Sequence, residues 1–175
     1  MQAALWTHGE EFLTGENEAS KPLTRGQGLL ERGLGLSFKN RELLRQALTH
    51  GSYVNEHPGE SAGSNERMEF LGDAVIDLVV AQELYRRYPD LDEGRLTQLR
   101  SEVVRGETLA QVARRLGVGP QLLLGQGEAS SGGEDRDSNL AGALEALMGA
   151  VLLDRGYRSA RSCVLRILRP ELRRI

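Results

Sequence analysis

Residues 140–153 read LAGALEALMGAVLL, and this stretch decides the fold class. Glu145 carries the only polar side chain in it. A helix that is apolar on every side lies inside a protein core. A carboxylate in such a helix is costly unless it is paired, protonated or bound to a metal ion. We therefore expect a buried helix here, and a second segment that supplies a partner for Glu145.

The second segment is predicted about seventy residues upstream, where residues 65–75 read NERMEFLGDAV. Glu66, Glu69 and Asp73 recur at i, i+3 and i+7, which places three carboxylates on one face of a helix. Two helices that bring carboxylates together in a core form a site for a hard divalent cation. Gly72 lies inside this helix, where glycine costs about 1 kcal/mol relative to alanine. We expect it to permit close helix packing.

The composition favours an all-helical protein. Aromatic residues make up 5% of the 175 residues, and Leu, Ala, Arg and Glu dominate. A single cysteine, Cys163, excludes an internal disulfide, so we expect a core cysteine and a cytoplasmic protein. Neither a secretory signal nor an apolar run long enough to span a membrane is found in the sequence.

The net charge of −3 conceals an uneven distribution. Residues 1–20 hold four Glu and no basic residue, whereas residues 155–175 hold seven Arg and one Glu. A concentrated basic patch is typical of nucleic-acid binding. The alternative is that these arginines form the solvated face of a surface helix.

The chain divides into an acidic extension, residues 1–22, and one domain, residues 23–175. Within the extension, Trp6, Phe12 and Leu13 could dock on the domain. The apolar periodicity predicts helices at 28–33, 40–50, 65–88, 93–104, 107–116, 138–153 and 159–168, with loops at 55–64 and 125–133. In the long helix the residues predicted to face the core are Met68, Leu71, Val75, Leu78, Val79 and Leu84.

Residues 65–75 resemble the signature of the ribonuclease III family, the endonucleases of double-stranded RNA. The resemblance extends to QALTH and SY at residues 46–50 and 52–53, to residues 96–109 and to residues 125–153. Together these segments cover roughly residues 27 to 168. A match of eleven residues with a matching second segment is far more specific than a lone short motif.

The resemblance implies an all-helical ribonuclease III nuclease domain over residues 23–175, acting as a homodimer. It implies endonucleolytic cleavage of double-stranded RNA in ribosomal or other structured RNA, leaving 5′-phosphate and 3′-hydroxyl ends. The cofactor implied is Mg²⁺, with Mn²⁺ as a substitute. Magnesium bound by carboxylates lowers the pKa of its bound water and clamps phosphate oxygens.

Carried over by position, the resemblance assigns the metal to Glu69, Asp73 and Glu145, with Asp73 and Glu145 as the catalytic pair. Glu66 and Glu93 match positions near the dimer interface and the RNA cleft. Each residue type also has a structural explanation. Glu66 and Glu69 could stabilise a helix N-terminus, and Glu145 could pair with a buried Arg67. His50 is expected to be a core or capping residue.

The main departure from the family pattern is Gly142, where the family has an aspartate three residues before the glutamate. Water or Asn139 could replace this ligand, because Mg²⁺ keeps several waters in any case. The protein could instead be a weakened enzyme with an altered metal preference, or an RNA-binding protein without activity. Retention of the other carboxylates favours an enzyme. A third possibility is a metal-dependent hydrolase that acts on a substrate other than RNA.

From the length of the sequence we also expect the double-stranded-RNA-binding domain that typical family members carry to be missing. RNA affinity would then come from the dimer cleft and the basic surface alone. Since phosphate contacts dominate such binding and release counterions, we expect it to be weak and sensitive to salt.

Overall fold

The computed structural model describes residues 25–59 and 63–175, and its regular structure there is helical. Within these ranges the only β pairing is an isolated parallel bridge between Thr49 and Leu123. The predicted all-helical class is confirmed, whereas the acidic extension lies outside the described residues. The α-helices are α1 (Arg25–Leu34), α2 (Arg41–Ala47), α3 (Gly51–Glu56), α4 (Glu66–Arg87), α5 (Glu93–Val104), α6 (Gly106–Leu116), α7 (Gln126–Ser130), α8 (Asp137–Ile167) and α9 (Arg169–Leu172).

The core is built around helix α8, which packs most extensively against α4 and then against α6. Leu140, Leu144, Leu147 and Met148 are completely buried, as the apolar stretch predicted. Glu145 differs from its neighbours because it is only partly buried. It lies on the side of α8 that faces α4, because the charged groups that act on it, Asp73, Glu69 and Asp77, all belong to α4.

Local capping explains some of the helix boundaries. Helix α5 begins after Asp92, whose side chain accepts a hydrogen bond from the backbone of Arg95. Helix α6 ends at Gly117 in the left-handed conformation, with φ of 70°. The long predicted helix at 65–88 is confirmed as α4, and the helix predicted at 93–104 is confirmed as α5.

Two short helices were missed by the sequence reasoning. Helix α3 follows the predicted 40–50 helix, and its last two residues fall inside the predicted 55–64 loop. The reason is His50, whose Nδ1 accepts a hydrogen bond from the backbone of Ser52 and starts a new helix. Helix α7 likewise forms one turn inside the predicted 125–133 loop.

Helices predicted separately at 138–153 and 159–168 follow each other directly as α8, with a kink at Gly156 (φ 75°, ψ 173°). On α4, Leu78 is 49% exposed, so its predicted place in the core is wrong. Its side chain lies on a face that the neighbouring helices leave uncovered. Cys163 is buried as predicted, and burial raises the pKa of its thiol to about 12. In the described ranges, no helix has the length and apolarity of a membrane span.

Candidate active site

Glycines allow the backbones of α4 and α8 to touch. A Cβ added at Gly72 would lie 1.7 Å from the carbonyl oxygen of Glu145, far inside van der Waals contact. A Cβ added at Gly149 would lie 2.3 Å from the carbonyl oxygen of Met68. The packing role predicted for Gly72 is therefore confirmed. This contact fixes which faces of α4 and α8 meet.

The contact brings the predicted carboxylates of α4 to the one on α8. The pKa of Glu145 is raised to about 7, first by burial and then by the negative charges of Asp73, Glu69 and Asp77. All the charged groups that shift it are carboxylates, and Arg67 is exposed on α4. The proposed pairing of Glu145 with a buried Arg67 is therefore wrong.

Glu69 is partly buried, whereas Glu66 and Asp73 on the same helix are exposed. Its pKa is raised, mainly by burial and next by the charge of Glu66, while His50 acts in the opposite direction. Glu69 and Glu66 both lie in the first turn of α4, where the helix dipole favours them. The helix dipole explains why an acidic residue is favourable in this turn. It does not explain why the Glu69 side chain lies near Asp73 and Glu145.

Gly142 lies directly against Glu69. An ideal Cβ at Gly142 would be 2.7 Å from Oε2, 2.9 Å from Cδ and 3.2 Å from Oε1 of Glu69. The carboxylate of Glu69 therefore occupies the space into which a side chain at position 142 would extend.

Asn139 is fixed by the loop that precedes α8. Its side-chain nitrogen donates hydrogen bonds to Oε1 of Glu128 at 2.7 Å and to the carbonyl oxygen of Gly133 at 3.0 Å. The first of these bonds is also the main cause that lowers the pKa of Glu128. The amide group that could have replaced the missing ligand thus anchors the loop before α8.

His50 behaves as a capping residue, as expected. Its Nδ1 lies 2.8 Å from Oγ of Ser52 as well as accepting from the backbone of that residue. Ser52 Oγ in turn accepts a hydrogen bond from the backbone of Gly125. These bonds tie α3 to the segment leading into α7, beside the carboxylates.

Neither Glu66 nor Glu93 is among the groups that shift the pKa of Glu145, although Glu66 lies close enough to Glu69 to raise the pKa of that residue. Glu66 is exposed, and its Oε2 accepts a hydrogen bond from Ser64 at 3.1 Å. Glu93 starts α5 and lines a cavity of about 600 Å³ together with Tyr85 and Arg100. Their predicted place at a dimer interface or RNA cleft stays a prediction.

Asp77 was missed by the sequence reasoning. It follows Asp73 by four residues on α4 and contributes to the raised pKa of Glu145. The i, i+4 spacing after Asp73 was the available signal, because it continues the same helical face. The candidate site therefore holds four carboxylates: Glu69, Asp73, Asp77 and Glu145.

The chemistry of these donors fits a hard divalent cation. The carboxylate oxygens of the site are ligands that Mg²⁺ prefers, and a cation would relieve the repulsion that adds to the effect of burial on the pKa of Glu145. In the part of the chain that the structure describes, no three His, Cys, Asp or Glu side chains are grouped closely enough to hold an ion as they stand. Binding would require these side chains to converge.

The geometry defines a helical domain whose candidate active site is a group of carboxylates shared by two central helices. Residues 40–172 match the family model described as Ribonuclease-III-like. The chain belongs to this family, which confirms the resemblance.

Among curated relatives, a Ribonuclease 3 of Dehalococcoides mccartyi is 48% identical over 146 residues, covering 83% of this chain and 62% of the relative. A Ribonuclease 3 of Symbiobacterium thermophilum is 53% identical over 135 residues, covering 77% of this chain and 56% of the relative. The chain thus spans about three fifths of the length of the curated relatives it matches.

Solved structures give the same result. The crystal structure of the nuclease domain of ribonuclease III from Campylobacter jejuni is 36% identical, with a TM-score of 0.78. The match covers 87% of this chain and 99% of that domain. The described helices therefore correspond to a nuclease domain, and the all-helical class is confirmed by comparison.

Proposed function

We propose that this chain is a nuclease domain that cleaves double-stranded RNA endonucleolytically and depends on Mg²⁺. The observation that carries the proposal is the meeting of Glu69 and Asp73 on α4 with Glu145 on α8, across the contact at Gly72. The products proposed are 5′-phosphate and 3′-hydroxyl ends. Ribosomal and other structured RNAs in the cytoplasm are the proposed substrates.

Asp73 and Glu145 are the proposed catalytic pair, and Glu69 is the third proposed ligand. A bound Mg²⁺ would supply a water of lowered pKa and neutralise charge on the phosphate. The protein's part is to present ionised oxygens at the seam between α4 and α8. Because the pKa of Glu145 is about 7, its carboxyl oxygens become fully available to a cation only above neutral pH.

Duplex RNA is read through its shape, its 2′-hydroxyls and its phosphates rather than its base sequence. Arginines near the C-terminal ends of α4 and α8 offer a surface for phosphates. A cavity of about 320 Å³ is lined by five of them and by one carboxylate, Glu83. Glu83 pairs with three of the five, Arg86, Arg87 and Arg161. The lining arginines are Arg86, Arg87, Arg161, Arg169 and Arg173.

A homodimer is part of the proposal. Two aromatic side chains of α4 protrude into solvent, Phe70 at 81% and Tyr85 at 76% exposure. Tyr85 also lines the 600 Å³ cavity that Glu93 borders. Large exposed apolar groups beside a cavity are typical of a protein interface. Two copies related by a twofold axis would present two sites to the two RNA strands.

The second candidate is an RNA-binding protein without nuclease activity. Gly142 is the observation that favours it, because the family pattern has a carboxylate ligand at this position. The two candidates are separated by incubating the purified protein with a long RNA duplex in Mg²⁺ and in Mn²⁺. Cleavage supports the nuclease, whereas binding without cleavage in either metal supports the second candidate.

A further inference from the structure

We propose that the acidic N-terminal extension, residues 1–22, docks on an arginine surface at the C-terminal ends of α4 and α8 and shields it from nucleic acid. The arginine surface consists of the five arginines that line the cavity of about 320 Å³, together with Arg158 and Arg166. The docking itself is independent of the proposed function. Its consequence, competition between the extension and duplex RNA, rests on that function.

The arginine surface extends over two adjoining cavities. The second cavity, of about 510 Å³, is lined by Arg158 and Arg166 and shares Leu165 and Arg169 with the first. The surface lies away from the carboxylates of the candidate active site. On α4, Arg87 follows Asp73 by fourteen residues, which is about 21 Å along the helix. A partner held here is therefore bound at a site separate from the carboxylates.

Most of the positive charge on the arginine surface is unpaired. In the described ranges, Glu83 is the only carboxylate that forms ion pairs with it, and its partners are Arg86, Arg87 and Arg161. The other four arginines form no ion pair with a described residue; these are Arg158, Arg166, Arg169 and Arg173. Seven cations beside one carboxylate create a positive field that attracts a polyanion.

The chain itself carries a segment of the opposite charge. Residues 1–20 contain Glu10, Glu11, Glu16 and Glu18 and no basic residue. Covalent attachment gives such a segment an effective concentration of roughly millimolar at any surface within its reach. A separate acidic partner has no such advantage. The extension is therefore the occupant that every copy of the protein supplies to its own arginine surface.

The extension is long enough to reach this surface. Helix α1 begins at Arg25, and Gly35, which directly follows its last residue, lines the second cavity. The ten residues of α1 separate these two points by about 15 Å. Glu18 precedes Arg25 by seven residues, which span up to about 23 Å when extended. The acidic residues further upstream have a longer reach still.

The apolar residues of the extension also match the two cavities. Leu36, Leu165 and Leu172 form part of the cavity walls beside the arginines. Trp6 and Phe12 are the aromatic residues of the extension. Arginine side chains stack favourably on aromatic rings, and the leucines offer apolar surface to bury. Docking would thus combine ion pairs with apolar contacts, whereas RNA phosphates would use the arginines alone.

The first test measures docking in the full chain, without RNA or metal. Trp6 is the only tryptophan of the protein, so its fluorescence reports on the extension alone. In the four-arginine variant, the four unpaired arginines of the surface are replaced jointly by Gln. Quenching of Trp6 by acrylamide should increase in this variant, because the extension loses its partners. Raising the salt concentration should cause the same increase in the native protein, since exposed ion pairs are screened.

The matched control removes four arginines that lie outside the surface, and it should leave the quenching of Trp6 unchanged. It replaces Arg67, Arg95, Arg100 and Arg105 jointly by Gln. Unchanged quenching in the four-arginine variant would overturn the inference. An equal increase in both variants would also overturn it, because overall charge and not the arginine surface would then hold the extension.

The second test measures competition with RNA, by fluorescence anisotropy of a labelled RNA duplex and metal-free full chain at low salt. Replacing the four glutamates of the extension jointly by Gln should strengthen binding about five- to thirtyfold, because each exposed ion pair that RNA must displace is worth roughly a factor of two. When the same replacement is made in the four-arginine variant, the gain should fall below about threefold, because the two sets of residues interact.

A control variant with the same change in net charge should strengthen binding less than about threefold. It combines Asp90→Asn with Glu102→Gln, Glu107→Gln and Glu134→Gln, all at exposed positions. An equal gain in this control, an undiminished gain in the four-arginine variant, or no gain in either background would overturn the inference. If the native chain and its variants bind no duplex, the proposed function fails, and the quenching of Trp6 still decides whether the extension docks.

Discussion

Replacing Gly72 by alanine should separate the two helices that build the candidate site. The added Cβ would lie 1.7 Å from the carbonyl oxygen of Glu145 and 2.9 Å from the backbone nitrogen of Gly149. Both neighbours are backbone atoms of α8, so no side-chain rotation can relieve the clash. Ordinary contact begins near 3.4 Å, and the helices must therefore move apart by about 1.7 Å at this point.

The magnitude follows from the cost of overpacking a core. Such changes cost about 1–3 kcal/mol and occasionally more. Because α4 and α8 form the most extensive contact among the described helices, we expect the upper end, about 3 kcal/mol. This net value allows for the gain of about 1 kcal/mol that alanine brings to a helix interior. For a domain of this size the loss corresponds to a fall in Tm of roughly 6–12 °C.

The free energy of unfolding is measured by urea titration followed by circular dichroism. Gly28→Ala is the control, since nothing lies within 4 Å of the added Cβ in α1. It should stabilise the protein by about 0.5–1 kcal/mol. The reasoning is refuted if Gly72→Ala unfolds within about 0.5 kcal/mol of the native protein.

Three further predictions concern charge. In metal-free protein the Glu145 carboxyl keeps its proton up to about pH 7 in the folded state but loses it near 4.5 when unfolded. The free energy of unfolding should therefore fall as pH rises from 4.5 to 7. Glu145→Gln should remove this dependence on pH, which urea titrations at several pH values would measure. Asp77→Asn removes one charge that raises the pKa of Glu145 and should move the rise of Mn²⁺ binding to lower pH; an unchanged pH profile in calorimetry would contradict this. Joint replacement of Arg169 and Arg173 by Gln should make duplex RNA binding less sensitive to salt. The slope of log K against log salt concentration, measured by fluorescence anisotropy, should become shallower by about 1–2. The control variant Arg105→Gln should leave this slope unchanged.

The overall fold could be predicted because long apolar periodicity leaves few alternatives. The buried stretch at residues 140–153 could only be a central helix, and the apolar periodicity separated the helices predicted at 65–88 and 93–104. The short helices α3 and α7 could not be predicted in the same way. Each is about one turn long, so a single cap or loop contact decides whether it forms.

The candidate site was predicted in its parts but not in its arrangement. The spacing of Glu69 and Asp73 indicated a shared face, and the lone Glu145 indicated a partner. The sequence could not show that Gly142 lies against Glu69, because that contact depends on the rotation of α4 against α8. It also could not show that Asn139 is held by Glu128, since the loop conformation decides this bond.

Cleavage of a long RNA duplex in Mg²⁺ by the native chain and by Glu145→Gln tests the central claim most directly. Glutamine keeps the shape of the side chain but removes the charge that would hold a cation. The account predicts cutting by the native protein and none by a folded Glu145→Gln variant that still binds the duplex. Equal cutting by both proteins would contradict the assignment of the carboxylates between α4 and α8 as the active site.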